Sequence, residues 1–383
     1  MNPQIGVIGL KLKHKFIIII VLLSLAIFLL KTDRHISEEK ENIKQGLIEK
    51  PLEENNFTLE DPEFWIKKIH SKDLLLMGEA EIAQFNKRNF SEEDSLMDLE
   101  TQEPIINKGD LTTLINTLSK IPKEQRYDSN GNIMDKDFYN KLISNLNIDS
   151  INKTMTLQYG VTINRTMMRT FPTFEPSYMT KEAIQFDRFM ETAIYPWEPL
   201  IIYLESKDKE WYFGRIYNYF GWVPKKDIAL GEKGEVFDYV NKKDFLMVIE
   251  KQVLIDNILY DMGVKIPLAG EKKNSYIVFI PTRDENGNLK VQERELDKSE
   301  AFNKGYLPYT KENTILQAFK FYGEEYGWGG MNNKRDCSAF IMDVHRTFGI
   351  KLPRNTSEQG LKSMGKIYDF GNMKTLDERL EFL

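Results

Sequence analysis

The sequence predicts an α+β protein built in series: a helical stretch, two strand-rich stretches, then a second helical stretch. Three observations predict it. Apolar residues recur at helical spacing before residue 150 and again after residue 309. Between these, short runs of aromatic and β-branched residues alternate with turn-forming residues. The 1 cysteine among 383 residues, Cys337, opens an amphipathic helix.

Composition sets the outer bounds. A chain of 383 residues with 41% hydrophobic and 12% aromatic content can fill packed cores in about two or three domains. The net charge is −6, and Lys and Arg are scattered among Asp and Glu as on a solvated surface. No basic stripe lies beyond the N-terminus, which argues against a nucleic-acid-binding role. The 4 histidines and 1 cysteine are too dispersed for a metal site, and no cofactor is expected.

Residues 1–35 read as a targeting segment. Lys11, Lys13 and Lys15 precede an apolar run, Phe16 to Leu30, whose one polar member is Ser24. The run is nearer a signal-peptide core than the roughly 20 residues of a spanning helix. No small-residue cleavage site follows, and Lys31, Thr32, Asp33 and Arg34 come next. An uncleaved anchor, associated with the inner membrane and holding the body in the periplasm or cell envelope, fits better than a cleaved peptide.

From 36 to 150 the pattern is helical. Glu60 to Ile69, Leu111 to Ile121 and Phe138 to Leu146 carry helical spacing, and Asn130-Gly131 marks a turn. The grammar then changes. Over 151–232, Leu200 to Leu204, Trp211 to Ile216 and Gly221 to Val223 read as strands of a small antiparallel barrel. Over 233–308, Tyr276 to Ile280 and Leu289 to Arg294 flank Asn286-Gly287, a two-residue hairpin signal, and predict a second such unit. From 309 on, Thr310 caps a helix bearing Ile315, Leu316, Phe319 and Tyr322, which leads into Tyr-Gly-Trp-Gly-Gly at Tyr326 to Gly330.

The cysteine helix follows. Asp336 is a good N-cap, Phe340, Ile341, Val344 and Phe348 recur at helical spacing, and Gly349 supplies the stop. Cys337 therefore sits in the first turn, where free backbone N–H groups and the positive end of the helix dipole stabilise a thiolate. Burial as a small structural residue is the alternative for a free cysteine. Export weighs against it, because a lone thiol in an oxidising compartment forms no internal disulfide and needs another explanation.

These residues resemble the NlpC/P60 family of papain-like cell-wall cysteine peptidases, in particular a subgroup with a helical N-terminal region and two bacterial SH3 domains. The match runs through Arg169 to Thr173, Glu210 to Pro224, GYLPYT, and most specifically Tyr326 to Phe340 followed by LPRNTS. It implies two SH3-like β-barrels at 151–232 and 233–308, and the first part of a papain-like α+β catalytic domain at 309–383. The implied activity is hydrolysis of the bond between γ-D-glutamate and a diamino acid in peptidoglycan stem peptides. Cys337 would be the nucleophile, with Tyr326 and Trp328 beside the substrate. Asp336 and Ser338 would hold the free α-amino group of an N-terminal L-Ala, an ammonium that needs acceptors with compensating charge. Tyr217 and Tyr219 are candidate pocket walls from the first SH3 domain.

A thiolate of this kind needs a histidine to protonate the leaving amine. His14, His35 and His70 lie far upstream, and His345 stands roughly 12 Å along the helix from Cys337 at about 1.5 Å per residue. The family takes its histidine from a strand after the cysteine helix, so the catalytic domain ending at Leu383 reads as incomplete, a fragment or a truncation. The second reading is a non-catalytic wall-binding protein with a vestigial thiol.

Overall fold

A computed structural model describes residues 58–366. The apolar run at 16–30, His14, His35 and the helix expected at Thr375 to Leu383 lie outside the described residues. Among the described residues no helix is long and apolar enough to cross a membrane.

The helices, in chain order, are α1 (Pro62–Ile66), α2 (Glu79–Glu92), α3 (Lys108–Leu118), α4 (Lys136–Asn145), α5 (Lys233–Val240), α6 (Lys311–Phe319), α7 (Cys337–Arg346) and α8 (Thr356–Gln359). The strands begin with β1 (Leu75–Met77), β2 (Ile105–Asn107), β3 (Thr154–Thr156), β4 (Gln158–Thr162), β5 (Thr166–Arg169) and β6 (Met190–Ile194). They continue with β7 (Pro199–Glu205), β8 (Trp211–Ile216), β9 (Tyr219–Pro224), β10 (Ile228–Gly231), β11 (Phe245–Val248) and β12 (Gln252–Ile255). The last are β13 (Ile258–Asp261), β14 (Lys265–Glu271), β15 (Ser275–Arg283), β16 (Leu289–Asp297), β17 (Phe302–Lys304) and β18 (Tyr309–Thr310).

The chain divides into two compact units. In the smaller, α1 packs on α6, and Lys72 pairs with Glu312 at 2.7 Å. The expected Thr310 cap is present, its side chain accepting from the Asn313 N–H.

The larger unit holds Met77–Pro308 and Glu324–Gly365. Its main sheet is antiparallel, in the order β10-β4-β7-β8-β9-β5-β6. Strand β8 explains the apolar run that marked it. All of it is buried. Trp211 and Phe213 enter a large cluster shared with the helices, while Tyr212 and Ile216 enter a small one with Met168, Leu200, Ile202 and Val223. Side chains alternate across a strand, so burial on both faces removes the polar positions that ordinarily show the period.

The small cluster is drawn from this sheet's own strands, so the sheet curls around it. It does not close. β10 and β6 end the strand order without pairing with one another, which corrects the barrel expected over 151–232 to an open, curled sheet. One physical reason is that β6 carries another burden: the turn Trp328–Asn333 packs against it. The second stretch is likewise an open sheet, β16-β15-β14-β11-β17, with a separate β12-β13 hairpin. A parallel bridge from Leu230 to Asn288 joins the two sheets.

The turn at Asn286-Gly287 is wider than a two-residue hairpin. Arg283 pairs with Leu289, and the Asp284 carboxylate accepts from the N–H groups of Asn286 and Asn288 at 2.9 and 2.8 Å. The stretches that sequence grammar divides at 150 and 232 share one core. Leu111 and Ile115 of α3 and Leu142 of α4 cluster with Phe171 from the loop after β5, with Trp211 and Trp222 of the first sheet and with Leu246 and Ile266 of the second.

Candidate active site around Cys337

Helix α7 forms as its sequence dictates. Asp336 has extended backbone angles and its side chain accepts from the Ala339 N–H at 2.9 Å. Phe340, Val344 and Phe348 are buried, and Gly349 at φ 83° ends the helix, with the Ile350 N–H donating to the His345 carbonyl at 3.1 Å. Cys337 is the first helical residue and is exposed. Its Sγ lies 3.4 Å from Thr356 Oγ1, at the start of α8.

The glycine loop before α7 is held on β6. Gly329 and Gly330 have φ of 58° and 92°, and a Cβ on Gly330 would stand 2.4 Å from the Ala193 Cβ. Glycine is required there both for the left-handed backbone and for the approach to β6. This seats Trp328 edge-on to Phe186, with ring centroids 5.6 Å apart, and beneath the Arg188 guanidinium at 4.5 Å. Tyr326, 42% exposed, leans on the same Phe186 at 6.4 Å. Its hydroxyl is pushed up to about 12, first by burial and then by the neighbouring Asp336 and Cys337, whose negative fields oppose its ionisation. Tyr326, Trp328, Asp336, Cys337 and Ser338 thus lie on one loop and the first turn of α7.

Asp336 and Ser338 are engaged. Asp336 accepts from Arg354 Nη2 at 2.6 Å and Nη1 at 3.2 Å, from Gly329 N–H at 3.1 Å, from Ser338 Oγ at 3.2 Å and from Ala339 N–H. Ser338 also accepts from Arg354 Nη1 at 2.8 Å. A carboxylate offers about four lone-pair directions, and these five donors fill them. Arg354 closes the arrangement by donating to Thr192 Oγ1 at 2.6 Å, which ties α7 and the loop to β6.

The two tyrosines part company. Tyr217 is buried against Arg346 at the last turn of α7, the end opposite Cys337. Tyr219 donates to Glu191 of β6, and the charges of Glu191, Arg354 and Glu358 act on its hydroxyl, which places it at the thiol end. Sequence reasoning missed Arg354, Glu191 and Arg188. Arg354 lies inside the LPRNTS motif, and its place between a proline and a helix cap was the available signal. Glu191 on β6 and Arg188 in the turn before it reach the site through tertiary packing, which leaves no mark in the local sequence. Among the described residues Glu191 accepts from two donors, Thr170 at 2.6 Å and Tyr219, so acceptor capacity remains.

His345 is half-buried, its Nδ1 lies 2.8 Å from the Ile341 carbonyl, and desolvation lowers its pKa. It is the one histidine among the described residues of the larger unit, and it faces the helix backbone two turns from the thiol. Among the described residues no group of three or more His, Cys, Asp and Glu could hold a metal ion.

The described site is an exposed thiol at a helix N-terminus, set behind a glycine-aromatic loop that packs on a curled β-sheet. Residues 323–379 match the NlpC/P60 family and residues 172–224 an SH3 domain of the SH3b1 type, so the chain carries an NlpC/P60 domain preceded by an SH3 domain. The fold is similar to that of an NlpC/P60 endopeptidase from Photobacterium damselae subsp. piscicida. The TM-score is 0.60 and the identity 21%, over 77% of this chain and 68% of that one. Two curated relatives are gamma-D-glutamyl-L-lysine dipeptidyl-peptidases. The Bacillus cereus protein is 26% identical over 37% of this chain and 43% of its own length. The Bacillus subtilis protein is 30% identical over 31% of this chain and 44% of its own length. The chain thus spans less than half the length of these relatives.

Proposed function

We propose that this protein is a cell-wall cysteine endopeptidase that hydrolyses the γ-D-glutamyl to diamino-acid bond of peptidoglycan stem peptides with a free N-terminal L-Ala. The observation that carries the reading is the exposed thiol of Cys337 at the first residue of α7, flanked by Tyr326 and Thr356. The names of the relatives support the bond class, and the SH3 match together with the basic-apolar N-terminus supports a location in the cell envelope.

In this mechanism Cys337 attacks the γ-carbonyl, and the Tyr326 hydroxyl, which stays protonated, donates to the developing oxyanion or to the substrate main chain. The tetrahedral intermediate expels the amine, and water then releases the acyl group. His345 is committed to its own helix and does not protonate the leaving amine; the family resemblance gives that step to a histidine on a strand that follows the cysteine helix. Asp336, Ser338 and Arg354 fix the thiol's helix. The free ammonium of the substrate is assigned to Glu191, whose carboxylate keeps room for further donors, with Tyr219 as its wall. Residues 233–308 form a second SH3-like unit in this proposal, and 309–383 open the catalytic domain.

The test is hydrolysis of L-Ala-γ-D-Glu-L-Lys and its diaminopimelate counterpart, with the products separated chromatographically. The wild-type protein should release the Ala-Glu dipeptide and Cys337→Ala should not. Equal release by the two would remove the thiol from the reaction.

A further inference from the structure

At the end of α7 opposite Cys337, the larger unit holds a half-open chamber of about 200 Å³. Its walls come from both sheets, α2, α5 and the last turn of α7, and are rich in aromatic rings, among them Phe90, Trp197 and Tyr217. Two lysines enter it. Lys351 follows the Gly349 stop, and its ammonium lies 5.2 Å from the Phe90 ring centroid and 5.7 Å from that of Tyr217. Among the described residues no hydrogen bond or ion pair takes up that ammonium, and Lys351 stays open to solvent. Lys265 opens β14 and is half-buried, with its ammonium 4.5 Å over the Phe245 ring. One of its three N–H donors goes to the Val240 carbonyl at 2.9 Å. Among the described residues, the one charge that acts on it is a second cation, that of Lys351.

The carboxylates of the chamber are Asp98, Glu100 and Glu198, and each is engaged. Glu198 pairs with Arg346 at 3.4 Å, Glu100 accepts from Asn241 Nδ2 at 2.8 Å, and Asp98 accepts from the Glu100 N–H at 3.1 Å. Their charges act on Lys351, and none acts on Lys265. By contrast Arg169, Arg335 and Arg354, buried in the same unit, each meet a carboxylate. A half-buried ammonium that keeps donors in hand gives up solvation without return, and an incoming carboxylate supplies what it lacks. The aromatic walls ask for an apolar body behind that head, and a cavity of about 150 Å³ already takes benzene. We propose that this chamber is a binding site for a small carboxylate with a compact apolar body, its head held by Lys265 and Lys351 and its body lying against Phe90, Trp197 and Tyr217. The site is separate from the thiol, and the proposal does not depend on the peptidase reading.

The experiment is a calorimetric titration of the full chain with benzoate, benzamide and benzylamine, which share a shape and differ in charge. Benzoate should bind about tenfold or more tightly than either of the others, the ratio a charge-assisted hydrogen bond supplies. Inorganic phosphate, a head without a body, should also bind about tenfold or more weakly than benzoate. Lys351→Met, at a position open to solvent, and Lys265→Met should each bring benzoate within about twofold of benzamide. Benzoate binding to the wild type should weaken as pH rises through about 8, where Lys265 loses its proton, and Lys265→Met should lack that fall. No binding of benzoate, equal binding of benzoate and benzamide, phosphate binding as tight as benzoate, or an unchanged preference in Lys351→Met overturns the proposal. So does protection of Cys337 from iodoacetamide by benzoate, which would place the ligand at the thiol instead.

Discussion

Arg354 Nη2 donates to Asp336 Oδ2 at 2.6 Å, so the residue that caps the cysteine helix is itself clamped by a side chain from the loop that follows the helix. The side chains are 4% and 11% exposed, which makes the pair a buried one. Removing one partner of a buried pair costs about 3 to 5 kcal/mol, because the other charge is stranded. Arg354→Ala should therefore unfold at markedly lower urea concentration than wild type. Asp336→Asn, which keeps an acceptor for the Ala339 N–H, should lose less. Wild-type stability in Arg354→Ala would mean that the ion pair is not what anchors the helix.

Gly330→Ala should damage the site without touching its chemistry. The new methyl meets the Ala193 Cβ, and φ 92° is strained for any residue with a Cβ, at about 1 to 3 kcal/mol. The loop must lift from β6 and take Trp328 with it. A changed tryptophan emission maximum, with slower modification of Cys337 by a thiol reagent or loss of its protection by ligand, is the expected outcome. An unchanged spectrum would show that the loop is not seated by this glycine.

Glu191→Gln should separate substrates with and without a free amine. Wild type is expected to bind L-Ala-γ-D-Glu more tightly than its N-acetyl form by about tenfold, and the variant should lose most of that difference. If Glu191→Gln discriminates as well as wild type, the ammonium lies elsewhere.

Lys265 gives a pH dependence with a definite sign. Its Nζ donates to the Val240 carbonyl at 2.9 Å and lies 4.5 Å over the Phe245 ring. Burial, and then the charge of Lys351, lowers its pKa from 10.5 to about 8. Between these values the unfolded chain holds more protons than the folded one, so this group's contribution to stability rises as pH rises through the window and is lost as pH falls through about 8. Lys265→Met should remove that rise. Urea unfolding at about pH 7 and about pH 10 measures it, and an identical change with pH in the two proteins would refute the assignment.

The cysteine helix was legible because its signals are local. The Asp336 cap, the apolar spacing of Phe340, Val344 and Phe348, and the Gly349 stop lie within a few residues of one another and act through backbone hydrogen bonds. Strands β7 to β9 were legible for a similar reason, since apart from Glu205 and Arg215 they are runs of apolar, aromatic and small residues. The open form of the sheet was not. Closure depends on whether β6 and β10 find each other, and β6 instead packs against a turn more than a hundred residues downstream.

By itself, then, the sequence determined the element types, the position of the one thiol at a helix start and the glycines that precede it. Those follow from backbone propensity and from spacing along the chain. Tertiary structure alone decided which groups surround the thiol: Glu191 and Thr192 from β6, Arg188 beside Trp328, Arg354 across Asp336, and Tyr219 rather than Tyr217. Charges and hydrogen bonds act over a few ångströms of space whatever the chain distance. Their partners are chosen when the sheets and helices pack, and no local pattern records that choice.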